Sequence, residues 1–184
     1  MRYSVNEIVF NYVKRIEKGA MPMEIKQVET DNYLEQIEQL AKVIWKEHYI
    51  PIIGSDQVSY MLKKFESISN MKKQINEGYQ YYIFMDGGVA IGYMAFIDID
   101  NSIFLSKLYI AKEYRGRGFS KQAFEYVITV CKELNKKNIS LTCNKHNTST
   151  LQAYKRLGFK IVREQVTEIG CGYVMDDYVL EKVI

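Results

Sequence analysis

Leu105-Ser-Lys-Leu-Tyr-Ile-Ala-Lys-Glu-Tyr-Arg-Gly-Arg-Gly-Phe-Ser-Lys121 passes from an apolar strand pattern, through a turn bearing two glycines, into the start of an amphipathic helix. The first amides of a helix have no intrahelical acceptor, and the dipole adds positive potential at that end, so such a turn suits phosphate oxygens. Side chains at Gly116 and Gly118 would stand between those amides and a diphosphate, and Arg115, Arg117 and Lys121 place positive charge around it. The segment contains no G-x-x-x-x-G-K-S/T, and the dinucleotide pattern lacks its third glycine.

Working outward, Ile103 to Ile110 reads as the strand that feeds this turn. Phe119 to Leu134 is the helix that follows it, with Ala123, Phe124, Val127, Ile128 and Cys131 on one face. Ile139 to Cys143 returns as a strand, and Thr148 to Leu157 is a helix closed by Gly158. Two long strands, Phe159 to Ile169 and Tyr173 to Val183, complete the chain. Upstream, Glu24 to Val28 is a short strand. The next helix opens at Thr30-Asp31 and runs through Leu34, Ile37, Ala41, Ile44, Trp45 and His48 until Pro51 blocks it. Gly54-Ser55-Asp56 restarts a helix, and a shorter one runs through Met71 and Ile75. Tyr79 to Met85 and Val89 to Ile99 form a hairpin about Asp86-Gly87-Gly88. About seven strands with interspersed helices and no internal repeat predict a continuous α/β domain.

Residues 1–22 read as a helical extension and residues 23–184 as the domain proper. Val5, Ile8, Val9, Tyr12, Val13 and Ile16 recur at helical spacing between Ser4 and Lys18, and Gly19 to Pro22 supplies a stop. The stripe must cover the domain's own surface, a partner chain or a membrane face. The 184 residues, 47% apolar and 26% charged, have the composition of one water-soluble domain. A net charge of +3 is too small to imply a dedicated nucleic-acid partner and argues against a nucleic-acid module. Cys131, Cys143 and Cys171 lack metal or disulfide spacing, so a cytoplasmic protein without a metal is expected. No apolar run has the length of a membrane span.

Arg115-x-x-Gly118-x-Ser120 resembles the Q/R-x-x-G-x-G/A signature of the GNAT N-acetyltransferases. Ser120 departs from that pattern, but it is small and able to accept an N-cap hydrogen bond. Downstream, Asn144-Lys-His-Asn147, Tyr154 and Leu157-Gly158-Phe159 resemble the family's N-x-x-A-x-x-x-Y-x-x-x-G-F region, with Ala153 and Tyr154 adjacent. Asn147 and Tyr154 stand seven residues apart, which on a helix places them on nearly one face.

The resemblance covers residues 23 to 184 and implies a mixed sheet of about seven strands, flanked by helices. Its central strands, Phe104–Ile110 and Ile139–Cys143, would be parallel and splay apart around the pantetheine arm of acetyl-coenzyme A. It implies main-chain contacts to pantetheine and thioester from Leu108, Tyr109 and Ile110. The diphosphate cradle would be Arg115, Gly116, Arg117, Gly118, Phe119, Ser120 and Lys121, with Asn144, Asn147, Thr150 and Tyr154 also on the cosubstrate. Tyr154 would protonate the departing thiolate.

Ser106 stands where some relatives carry a glutamate, which leaves Glu47, His48, Tyr49, Asp176 and Asp177 as candidates to deprotonate the amine through water. Trp45, Tyr49, Asp176 and Asp177 are the acceptor-site candidates, with acidic groups there suited to a polyamine-like small-molecule amine. The alternative is a non-catalytic acyl-coenzyme A sensor. The N-terminal helix and the closing strand are candidate contacts of a homodimer.

Overall fold

The structure is a computed structural model that describes residues 23–184, so the helix expected over Ser4 to Lys18 lies outside the described residues. β1 (Glu24–Gln27) leads to α1 (Asp31–Ile53), α2 (Ser55–Phe65) and α3 (Ile68–Asn76). Next come β2 (Gln80–Asp86), β3 (Val89–Ile99), β4 (Ser102–Ile110), a single 3-10 turn (Lys112–Tyr114) and α4 (Phe119–Glu133). β5 (Asn138–Asn144), α5 (Thr148–Arg156), β6 (Lys160–Gly170) and β7 (Tyr173–Val183) complete the order. Among the described residues no helix is long and apolar enough to cross a membrane.

Helix α1 runs past Pro51 and stops at Gly54, whose φ of 83° and ψ of 162° no helix residue adopts. Pro51 was expected to end the helix. It sits instead in the last turn, where the one lost N–H leaves few bonds downstream to disrupt, and Gly54 N–H still reaches the carbonyl of Ile50 at 3.0 Å.

The strands form one sheet in the order β1-β2-β3-β4-β5-β7-β6. Every neighbouring pair is antiparallel except β4 and β5. That parallel pair is joined only at Ser102↔Asn138, Ile103↔Ile139 and Phe104↔Ser140, and beyond Phe104 the two strands part. The splay begins beside a bulge. Against β3, Phe96 faces Leu105 and Ala95 faces Lys107, so Ser106 is an extra residue in β4.

The bulge reverses the side-chain alternation. Ile103 and Leu105 pack with α4 and α5 on one face of the sheet, and after Ser106 it is Leu108 and Ile110 that return to that face. Lys107 and Tyr109 therefore turn to the opposite face, where Leu34, Ile37, Ala41 and Ile44 of α1, Val58 and Met61 of α2 and Met71 of α3 form the second core. Gly92 of β3 permits the tight fit here, since a Cβ on it would collide with the Tyr109 carbonyl oxygen and lie 3.0 Å from both Ile110 and Phe84 side-chain carbons.

Candidate active site

Where β4 and β5 separate, a cavity of about 520 Å³ passes through the plane of the sheet. Leu105 to Ile110 and Thr142 to Asn144 form its edges. Ser120 and Phe124 of α4 with Thr150, Ala153 and Tyr154 of α5 lie on one side, and Trp45, His48 and Tyr49 of α1 with Met61 of α2 lie on the other.

The glycine turn opens beside this cavity. Arg115 N–H closes on the carbonyl of Lys112 at 3.1 Å, and Gln122 N–H on that of Gly118 at 3.1 Å. Between them the main-chain amides of Gly116, Arg117, Gly118, Phe119, Ser120 and Lys121 have no acceptor among the described residues. Gly116 and Gly118 hold φ of 77° and 83°, and a Cβ on either would project into open space with no atom within 4 Å. This is an uninterrupted row of donors at the N-terminus of a 15-residue helix, the arrangement that attracts phosphate oxygens.

The basic side chains of the turn are held elsewhere. Arg115 donates from Nε to the Ile110 carbonyl at 2.9 Å, and its two terminal nitrogens lie 3.3 Å from the Glu47 carboxylate oxygens. Arg117 bonds Asp86 at 2.9 Å, with its guanidinium over the Phe119 ring, and Lys121 faces Glu125 at 3.8 Å. The cradle is therefore main-chain in character, and the arginines act as struts that fix it to α1 and β2.

Of the remaining residues singled out for the cosubstrate, Leu108, Tyr109, Ile110, Asn144, Thr150 and Tyr154 line the cavity. Asn147 does not. It is the N-cap of α5, buried at 2% exposure, and because the helix starts only at Thr148 the seven-residue spacing to Tyr154 does not put both on one helical face. The Tyr154 ring packs against Phe124 and Phe159 at centroid distances of 5.9 and 5.7 Å. Burial, with Cys143 and Tyr49 adding, raises its phenol well above the ordinary value, so the proton stays on the oxygen at neutral pH. Cys143, beside it, is pushed up to about 12 by burial and by Asp177, and as a neutral thiol it is a poor nucleophile.

On the acceptor side Trp45, Tyr49 and Asp177 line the cavity, whereas Asp176 does not. Asp176 is tied to Lys145 at 2.6 Å, and Glu47 is committed to Arg115 and Lys112. His48 also lines the cavity, and its pKa is lowered by burial and then by Arg115. Asp177 is different. It is 6% exposed, no cation pairs with it among the described residues, and burial followed by the charge of Asp176 pushes it up from 3.8 to about 6, against the opposing pull of Lys145.

The cavity also exposes a pair that sequence reasoning missed. Lys107 Nζ lies 2.7 Å from Glu66 Oε1, both side chains almost fully buried, and Tyr93 donates to Glu66 Oε2 at 3.1 Å. A lysine inside the apolar run Leu105 to Ile110 was the available signal, but unbroken alternation would have put it on the opposite face. Among the described residues no cluster of histidine, cysteine and carboxylate side chains has the form of a metal site.

A splayed parallel pair with a free amide row at the next helix is the architecture the sequence resemblance implied, and a sequence model described as "Acetyltransferase (GNAT) domain" matches residues 49–175. The chain belongs to the GNAT acetyltransferase family. This GNAT chain is 26% identical over 161 residues to an uncharacterized N-acetyltransferase in the pepI 3' region of Lactobacillus delbrueckii subsp. lactis, covering 77% of this chain and 88% of that one. The PaiA N-acetyltransferase of Thermoplasma acidophilum, solved in complex with coenzyme A, shares its fold at a TM-score of 0.74 and 21% identity, over 89% of this chain and 100% of that one. A spermidine N-acetyltransferase SpeG chimera from Vibrio cholerae and hSSAT does so at a TM-score of 0.65 and 19% identity, over 88% and 95% of the two chains.

Proposed function

We propose that this GNAT chain transfers the acetyl group of acetyl-coenzyme A to a primary amine of a small molecule, by direct attack. The observation that carries the reading is the row of unpartnered amides from Gly116 to Lys121 at the mouth of the β4–β5 gap. The amides and the αL glycines would hold the diphosphate, and the unpaired edges of Leu108 to Ile110 and Thr142 to Asn144 would take the pantetheine arm. Its setting is the cytoplasm, in keeping with three free thiols, Cys131, Cys143 and Cys171.

Asp177 takes the proton from the attacking nitrogen through water, which its pKa near 6 permits at neutral pH. As the new C–N bond forms, the carbonyl π pair moves to oxygen. When the C–S bond breaks, the Tyr154 hydroxyl gives its proton to the sulfur, and Tyr154 is restored by the proton held on Asp177 through solvent. The products are the amide and the free thiol, and the proton count closes for the neutral amine; an amine that enters as ammonium first gives its extra proton to solvent. Cys143 stays a thiol and takes no acyl group.

The deciding assay is thiol release from acetyl-coenzyme A across a set of primary amines, beside calorimetric titration of coenzyme A. Tyr154→Phe should keep the binding heat and lose about 10²-fold or more in kcat, the usual scale of a positioned acid. Unchanged turnover in that variant defeats the role of Tyr154. Tight coenzyme A binding with no thiol release from any amine assigns the chain as a sensor of acyl-coenzyme A.

A further inference from the structure

We infer that the acceptor half of the cavity takes a monoamine carried on an apolar body of aromatic size, and rejects polycations. The inference rests on the acyl-transfer reading and names its substrate class. The walls on that side are Ile44, Trp45, Tyr49, Met61, Tyr109 and Met175. Their rings form a continuous surface, with Trp45 at 4.8 Å from Tyr49 and 5.7 Å from Tyr109, centroid to centroid. Such a surface favours a ligand in proportion to the apolar area it takes from water.

The carboxylate and carboxamide side chains on this side already have partners. Glu66 is held by Lys107 and Tyr93, Gln74 accepts from the Tyr81 hydroxyl, and Gln57 Nε2 donates to the Val174 carbonyl at 2.6 Å. The other acids near this end, Glu47 and Asp176, are bound to Arg115 and Lys145. Asp177 is thus the cavity-lining carboxylate with no cation on it among the described residues. One buried carboxylate matches one ammonium.

A second ammonium on the same ligand would meet no free anion among the described residues and would enter a cavity that Lys107 also lines. The faces of Trp45 and Tyr49 would return less to it than leaving water costs an unpaired ion. Size and charge therefore select in the same direction.

The test measures kcat/KM by thiol release for tryptamine and 2-phenylethylamine against putrescine and spermidine, with calorimetric binding of each amine to the coenzyme A-loaded chain. Tryptamine should exceed spermidine by about tenfold or more, the discrimination an apolar pocket provides. Tyr49→Ala should raise the tryptamine KM about tenfold while the coenzyme A Kd changes less than about twofold. Lys107→Met, which uncovers the Glu66 carboxylate, should move the putrescine-to-tryptamine ratio about tenfold toward the diamine. Should either variant fail to fold, the wild-type panel decides by itself.

Spermidine or putrescine matching tryptamine in turnover or binding overturns the inference, and so does coenzyme A binding with no amine bound or acetylated. Absence of any coenzyme A heat instead overturns the acyl-transfer reading beneath it.

Discussion

Asp177, buried, and Tyr154, partly buried, line the same cavity, and their surroundings suit them to the opposite tasks proposed for them. Both are displaced upward, yet a carboxyl near 6 is ionised at pH 7 while a phenol above its ordinary range is not. For Asp177 the folded value exceeds the unfolded one. Its contribution to stability is therefore complete below about pH 3.8 and is lost as pH rises through about 6, so the ionised side chain that the proposed proton removal requires is one the fold disfavours. Asp177→Asn should remove the limb of the kcat/KM profile that rises through about pH 6, and should make the chain more stable than wild type above that pH. Urea titrations at pH 5 and 8 check the second point, and equal stability of the two proteins at pH 8 would contradict it. The sequence showed both aspartates but not which was free, because Lys145, which claims Asp176, is brought beside it only by the pairing of β5 with β7.

The turn between β4 and α4 was legible in the sequence because its determinants are local. Gly116 and Gly118 occupy left-handed conformations, and the amides after them precede a helix whose start the apolar spacing fixes. Gly118→Ala should cost roughly 1–2 kcal/mol for placing a Cβ at positive φ. It should also weaken coenzyme A binding about tenfold or more, since the methyl would enter the space before the amide row. Calorimetry gives the second number, and an undiminished affinity would remove the diphosphate from this turn. The bulge at Ser106 was not legible. It depends on a register between β3 and β4 that is set by Gly92 and by packing on both faces, and without it Lys107 reads as a residue on the wrong side of the sheet. The extent of α1 beyond Pro51 was hidden for a similar reason, since a propensity argument does not include the Ile50 carbonyl and Gly54 amide that finish the helix.

At the scale of the molecule, seven strands and the helices on both faces followed from periodicity, while the joining of distant segments did not. Glu66 at the end of α2 and Lys107 in β4 meet from elements 41 residues apart. Lys107→Met alone should destabilise the chain by about 3–5 kcal/mol, because it leaves a buried carboxylate unpaired. Adding Glu66→Gln should recover most of that loss, and urea midpoints of the two variants measure it; a double variant no more stable than the single one would deny the pair its coupling. The narrow join of the sheet has a mechanical outcome as well. β1 to β4 and β5 to β7 are stitched across the centre by Ser102 to Phe104 alone, so past that seam the two halves of the sheet have no shared ladder. A pantetheine arm laid along the gap would act as a temporary eighth strand, and the same hydrogen bonds that orient the thioester would bind the halves to each other for the length of one turnover.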